Sequence, residues 1–599
     1  MNMPDDGGAI RDLFEVDNAK ALYPRQLAPT FVGTREFWRL LSPKNHIVLG
    51  SRGSGKTAIV KMLAHEYLSQ FDHSHAKKAV RDASFIGVYI PLSLDWVGAL
   101  KNKSWTTEAE AERMFQWRLN VAGCAAFLVS LESCLSTYRP KPGERAQSED
   151  LISRQIASLW GSDVEANDIA GLRRYLRGLV ASRGRAARAA RAAEVEPSYS
   201  DQSNMDEDLF GPLKWAAEVA SEELHFASST AWLICIDEVE LLRPFQQRVI
   251  NTAIRSSSAP FFYKLATLPY GHYTIDTNAE RQLEVGHDFE YVRIDRDPIH
   301  DADRSLSRVF VEDVYKKRQR LSPDRYPPAT LEELFGPSRL LQPGRWAADD
   351  EFLATLRANL LPSSFERASA LLARDRRAFD NEIRRRLRAT LELREAAQSH
   401  QGHWSLDLYS GAQLFLRCTD GNPRLMIRLF KAMLDKSPQL STKESNRRRV
   451  PIIPTTVQTE VMMAISSEAL LRARAQEGIG FDVYGLVNAI GRFANATTYA
   501  DRISTDAVTT VRVDSGVDDR TWQAVMKACD LGLLYASVTW NNPDQWPMRS
   551  GFFHLAYVLA PHFRIMPRRG RARRLSLILQ DSIAQPIQQT TLFEFNNDA

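Results

Sequence analysis

Four near-continuous apolar runs stand out against a chain that is otherwise patterned for helices. They are His46–Leu49, "SFIGVYIPL" (Ser84–Leu92), Trp232–Ile236 within "TAWLICIDEVELL", and "FFYKLATLPYG" (Phe261–Gly271). Runs without polar alternation are expected where a strand is covered on both faces, as in a parallel sheet with helices on each side. Roughly 180 residues separate Lys56 from Asp237, against the ~30 residues that one strand–helix–strand step requires, so an insertion is expected. From about Trp105 to Trp215 the apolar positions recur at helical spacing, interrupted by Pro140–Gly143, which places a helical insertion at about 100–215.

Beyond the last of these strands the pattern stays helical. "RDRRAFDNEIRRRLRATLELRE" (Arg374–Glu395) is rich in Arg, and its interleaved acids sit at neighbour spacing on one helix, which predicts intrahelical pairing. Leu440–Pro451 has linker composition. In the segment after it, Trp522, Val525, Met526 and Cys529 share one helix face. Two apolar runs then flank a turn-rich loop at Asn541–Ser550, and helix followed by hairpin is the outline of a winged helix. The expected organisation is a core at 1–295, a helical lid at 296–440, a winged-helix-like domain at 452–575 and a mobile polar tail at 576–599.

The first apolar run leads into chemistry. "HIVLGSRGSGKTAIVKML" carries G-x-x-x-x-G-K-[ST], filled by Gly50, Gly55, Lys56 and Thr57. Glycines let successive N–H groups of Gly50, Ser51, Arg52, Gly53, Ser54 and Gly55 turn inward on an anion, and the helix beginning at Lys56, Thr57 and Ala58 aims its dipole there. Lys56 supplies a point charge for β- and γ-phosphates, and the Thr57 hydroxyl is a ligand for Mg²⁺. The complete pattern, between a strand and a helix, predicts a nucleotide with Mg²⁺ as the ligand. The partner carboxylate is expected at the end of Trp232–Ile236, where Asp237 would hold the metal and Glu238 would polarise water. Thr267 ends the next strand, where a polar group senses the γ-phosphate in P-loop ATPases of the AAA+ type, or where Thr serves only β-propensity.

"CTDGNPRLMIRLFKAML" (Cys418–Leu434) combines a Gly421-Asn422-Pro423 turn with an amphipathic helix. Together with "FVGTREFWRLLSPKNHIVLGSRGSGKT", in which Thr34 is one extra residue within a V-G-R-E box, it resembles AAA+ ATPases related to origin-recognition initiators, closest to the bacterial ORC-type ATPases. The resemblance implies an αβα P-loop core, a helical lid and a C-terminal winged helix used on DNA. It implies that Arg424 on the lid helix reaches the nucleotide's phosphates, and that the chain forms homo-oligomers. Members of that group accompany nucleases or other effectors in phage-defence or mobile-element gene clusters.

Composition narrows the rest. The chain has 599 residues, 44% of them hydrophobic and 25% charged, too long for one core and suited to about three or four domains. No apolar run approaches the ~18 residues of a membrane span. The start is acidic and polar, unlike a signal peptide, and five scattered cysteines fit a reducing cytoplasm better than a disulfide framework or a zinc site. A net charge of +4 does not by itself imply nucleic acid, so local charge must carry that argument. Arg185, Arg188 and Arg191 recur on an Ala-rich helix that could track phosphates or be solvated. "RIMPRRGRARR" gathers Arg568, Arg569, Arg571, Arg573 and Arg574 with no acid among them, and is the best candidate for DNA or RNA contact. The tail's "QTTLF" (Gln589–Phe593) resembles the peptide that docks bacterial proteins on the replication sliding clamp. Three functions remain: an ATP-driven switch on DNA that gates an effector such as a nuclease, a replication initiator or clamp/helicase loader, and a nucleotide-locked scaffold. Glu238 argues against the scaffold, which has no need of a water-activating acid.

Overall fold

The computed structural model describes residues 19–93, 107–161, 166–192, 204–279, 281–295, 301–321, 323, 328–341, 348–399, 407–437, 452–503, 508–536, 549 and 551–584. Contacts divide the chain into two units: Met1–Asp295 with Asp313–Ser322 and Asn422–Arg424, and Arg296–Glu312 with Pro323–Gly421 and Leu425–Ala599.

The first unit is built on five parallel strands, β1 (His46–Leu49), β2 (Phe85–Pro91), β3 (Ala231–Asp237), β4 (Phe261–Thr267) and β5 (Glu290–Arg293), in the spatial order β2-β3-β4-β1-β5. β1 and β3 are buried along their whole length, as continuous apolar runs require. Register is fixed from outside the strands. Asn45, buried just ahead of β1, accepts from the Tyr263 amide at 2.9 Å and donates to Ser257 Oγ at 2.7 Å and the Asp288 carbonyl at 2.9 Å. β4 also carries a buried cation within its apolar run. Lys264 Nζ donates to the carbonyls of Ser42 (2.8 Å) and Lys44 (2.6 Å) and lies 2.8 Å from His46 Nδ1. Burial pushes this lysine down to about 7 and His46 down to about 3, so the imidazole is the neutral partner.

The predicted insertion is a set of helices: Glu108–Tyr138, Pro142–Trp160, Ile169–Ala192 and Gly211–Glu223. The first is opened by a capping box, Thr107 Oγ1 accepting from the Glu110 amide while Glu110 Oε2 accepts from the Thr107 amide at 2.8 Å. Among the described residues this helix alone is long and apolar enough to cross a membrane, which an uninterrupted-run criterion overlooks because Gly, Ser and Asn punctuate it. Its apolar side is used against the sheet: the Phe127 ring lies 5.6 Å from Trp232, and Ser130 Oγ donates to the Gly87 carbonyl at 3.0 Å. Gly87 is required there, because a Cβ would stand 2.0 Å from the Leu63 carbonyl oxygen, a backbone atom that cannot yield.

In the second unit the Arg-rich stretch forms helices Pro362–Arg374 and Arg385–Ser399 joined by a short helical turn and a π-helical turn. The expected intrahelical pairing is only part of its charge balance. Arg376 and Arg384 both reach Asp349 on another helix, Arg376 at 2.6 Å, while Arg384 also meets Asp380 at 3.4 Å one turn away. Helices Thr455–Arg474, Gly480–Tyr499 and Asp519–Asp530 accompany a small sheet of β6 (Thr510–Arg512), β7 (Leu534–Ala536), β8 (Phe552–Leu555) and β9 (Ala572–Arg574), the second helix packing on β8 and the third on β7. Its order is β7-β8-β6-β9, antiparallel except for β6 with β9. The apolar run expected to extend β8 stops early, because the Asp420 carboxylate accepts from the amides of Tyr557 and Val558, each at 2.9 Å, and turns the chain out of the ladder. β9 was not anticipated: its sequence is basic, without strand-like alternation. Leu440–Pro451 and Gln589–Phe593 lie outside the described residues, as does the loop Asn541–Ser550 apart from Arg549.

One half-buried acid ties the insertion to the segment after the phosphate loop. Glu66 Oε2 lies 3.0 Å from Ser130 Oγ, and desolvation pushes its carboxyl up to about 7. A raised folded pKa means that its stabilising share is complete below the unfolded value and is lost as pH rises through about 7. The unaltered protein is therefore expected to lose melting temperature between pH 5 and pH 8, and Glu66→Gln to flatten that fall; an unchanged slope would show that this carboxyl ionises freely.

Candidate nucleotide site

Because the five strands run in one direction, their C-terminal ends share one edge, and the site is assembled there. β1 feeds the glycine loop, and helix α1 (Lys56–Lys61) follows it. Gly53 (φ 87°) and Gly55 (φ 98°) take the left-handed conformations that a backbone nest needs. Gly50 has no room for a side chain: its Cβ would lie 2.4 Å from Ser54 Oγ and 2.7 Å from Ile294 Cγ1. Lys56 is buried, and its ammonium spans the loop to the carbonyls of Gly50 at 2.6 Å and Ser51 at 3.1 Å. Ser51 is fixed by Asp295 just beyond β5, which accepts from its amide at 3.0 Å and its hydroxyl at 2.8 Å.

β3 delivers the acids. Asp237 is buried, and burial raises its carboxyl above the ordinary range, opposed by hydrogen bonds from Thr57 and Tyr89. The Tyr89 hydroxyl donates to Oδ2 at 3.0 Å. Thr57, in the first turn of α1, acts on this carboxyl, so the two predicted metal ligands sit together. Glu238 follows in the left-handed region (φ 63°), a strained place for a non-glycine residue and one that marks functional turns. Its carboxylate pairs with Lys20 at 2.6 Å. Thr267 ends β4 opposite Leu49, fully buried, with its hydroxyl unbonded among the described residues. Gly271 passes so close that a Cβ would be 2.4 Å from Thr267 Oγ1 and 2.6 Å from Glu240 Cβ.

Asn422 and Arg424 close over the loop. Asn422 Nδ2 donates to the Arg52 carbonyl at 3.0 Å, and the Arg424 amide donates to the Gly53 carbonyl at 3.3 Å. A Cβ on Gly53 would lie 2.8 Å from Asn422 Oδ1, so that glycine is also required by the close approach of this turn. Arg424 itself opens helix Pro423–Asp435.

The fit of a magnesium nucleotide rests on unsatisfied groups. Ser54 Oγ, Thr267 Oγ1 and Glu240 Oε2 are all buried without a partner among the described residues, beside a nest of inward amides and one buried lysine. A phosphate chain with its metal supplies acceptors for the amides and hydroxyls and a cation for the carboxylates. Sequence reasoning missed Lys20, Tyr89, Glu240 and Asp295. Glu240 was visible in the same D-E-V-E run as Asp237, whereas the other three reach the site only through tertiary structure.

The arginines of the C-terminal cluster have different surroundings. Arg568 turns inward, donating to the Arg386 carbonyl and to Thr390 Oγ1 at 3.3 Å. Arg573 lies over the Phe493 ring at 5.1 Å and 3.8 Å from Asp581. Arg573 is nonetheless exposed, as are Arg569, Arg571 and Arg574, the last on β9 beside Arg512 of β6. On the earlier basic helix, Arg185 and Arg188 are exposed, and the side chain of Arg191 lies outside the described residues.

No curated protein matches the chain. The sequence does match the ORC-CDC6-like family across residues 12–575, a span that takes in the glycine loop, the acidic strand tip, the Gly421–Arg424 turn and the C-terminal sheet. The chain belongs to the ORC-CDC6-like family, AAA+ ATPases of the replication-initiator type.

Proposed function

We propose that the chain binds and hydrolyses ATP with Mg²⁺ and uses the change to switch its hold on DNA and on a partner effector. The observation that carries this reading is the meeting of the phosphate loop with the acidic strand tip, where Lys56 and Thr57 both act on the buried carboxyl of Asp237. When bound, the nucleotide supplies a phosphoanhydride and its metal the charge neutralisation. The amides of Gly50–Gly55 and the α1 dipole would cradle the phosphates, Lys56 would neutralise them, and Thr57 and Asp237 would hold the metal. Glu238 would orient and deprotonate water, and Thr267 would bond the terminal phosphate. Arg424, anchored by its own amide on the loop, would report that phosphate to the lid helix.

DNA contact and homo-oligomer formation are supported by the family, whose members act on DNA and oligomerise. The winged-helix outline is supported by the order of helices Thr455–Arg474, Gly480–Tyr499 and Asp519–Asp530 with β6, β7 and β8. A role beside a nuclease in phage defence or mobile-element maintenance rests on the resemblance to bacterial ORC-type ATPases. The family match favours a second reading as an initiator or loader, and the partner captured by a nucleotide-trapped form separates the two.

Lys56→Ala is expected to abolish nucleotide binding in a fluorescent-nucleotide titration, and Glu238→Gln to keep binding while phosphate release falls by about a hundred-fold or more. Equal affinity in Lys56→Ala and the unaltered chain would refute the site.

Replacing Arg569, Arg571 and Arg574 with Ala should weaken DNA binding and flatten its dependence on log salt by about 0.9 for each phosphate that is no longer neutralised. Arg568→Ala should instead lower the melting temperature and leave that slope intact, because its guanidinium is bonded within the fold.

A further inference from the structure

The segment ahead of the first long helix passes beside the nucleotide site and is held there from below. Lys61, the last residue of α1, is buried and directs its ammonium at three backbone carbonyls, Ala19 (3.1 Å), Lys20 (3.0 Å) and Leu22 (3.1 Å). Three donors meeting three acceptors satisfies the ammonium completely. The Tyr67 hydroxyl adds a bond to the Leu22 carbonyl at 3.2 Å. The backbone of residues 19–22 is therefore fixed to the helix that carries Lys56 and Thr57. From this strap the Lys20 side chain reaches across, and its Nζ meets Glu238 Oε2 at 2.6 Å.

We propose that Lys20 is a positioning residue that restrains Glu238 at rest, so that the strap works as a latch on the site's general base; this rests on the nucleotide reading above. The geometry gives each half a different strength. The strap's base is buried and triply bonded, whereas the pair at its tip is open to water, the side chains of Lys20 and Glu238 being 47% and 29% exposed. An exposed ion pair is weak and exchanges readily with solvent or another anion. A carboxylate oxygen that accepts from an ammonium is not offering that lone pair to water, and its backbone already stands in the left-handed region at φ 63°. The latch therefore sets a modest brake that can be lifted without unfolding the strap.

Two measurements on the full chain test this. The first is amine acylation followed by mass spectrometry without nucleotide, with buried Lys61 as the internal reference. Glu238→Gln is expected to raise labelling of Lys20 about two-fold or more, because the amine loses its charged partner. The second compares turnover in the unaltered chain, Lys20→Ala and Lys20→Arg. Lys20→Ala should raise kcat about two- to five-fold with KM unchanged, the size set by an exposed pair, and Lys20→Arg should restore the basal rate. A fall in kcat or a rise in KM in Lys20→Ala would overturn the latch and make Lys20 a contributor to phosphate binding or catalysis. Unchanged labelling together with unchanged kcat would also overturn it. If Lys56→Ala binds nucleotide normally, the broader reading fails instead, and the labelling result still decides whether the pair holds Glu238.

Discussion

A parallel sheet aligns its strand ends, and here that constraint decides everything about the site. With β4 lying between β3 and β1, Thr267 stands beside Leu49, where the glycine loop begins, and next to the strand that ends in Asp237. A phosphate loop, a buried hydroxyl and an acid pair are thereby brought to one edge from distant parts of the chain, in the way a doubly wound sheet gathers ligands at its C-terminal ends. The register has its own guarantors, Asn45 and Lys264. A slip of one residue would turn every side chain to the opposite face and take the acid away from the hydroxyl of Thr57.

Much of this was legible because each feature is local. An uninterrupted apolar run followed by glycines, Lys and Thr specifies a strand, a nest and a helix start by conformational preference alone. The apolar run ending in Asp237 announces a central strand with acid at its tip. What could not be read has a different origin. Lys264 looks like a surface residue interrupting a strand, yet its ammonium is buried because three acceptors at and ahead of β1 receive it. Asp295 and Lys20 carry no motif at all; they act on the loop and on Glu238 only because β5 and the strap come alongside. β9 was hidden for a related reason. Pairing with β6 gives it strand geometry that its own basic sequence does not favour.

The apolar helix Glu108–Tyr138 shows how burial within a fold and burial in a bilayer can look alike from composition. What separates them is the role of its polar residues. Ser130 bonds at once toward the β2 backbone and the Glu66 carboxyl, while Asn120 donates to the Met205 carbonyl and accepts from the Phe210 amide. These are specific contacts of a core helix, made by Ser130 and Asn120 with groups on other elements. The insertion thus buttresses the segment following the phosphate loop, with Glu66 of that segment as its half-buried polar contact.

Charge runs demand the same separation of what a residue is from what surrounds it. In the sequence, Arg568 and Arg571 are equivalent members of one uninterrupted basic cluster. In the fold Arg568 is consumed by a carbonyl and a hydroxyl of helix Arg385–Ser399, so its positive charge serves as internal hydrogen bonding. Arg573 is shared between an aromatic face and Asp581, an acid outside the run that reading the cluster in isolation omits. The exposed members, Arg573 among them, with Arg512 brought beside Arg574 by strand pairing, form a patch of different membership from the sequence run. A polyanion responds to the guanidinium groups that still face solvent, since only these exchange water and counterions for phosphate oxygens on binding. The electrostatic footprint of this domain is therefore set by the β6–β9 pairing as much as by the count of arginines.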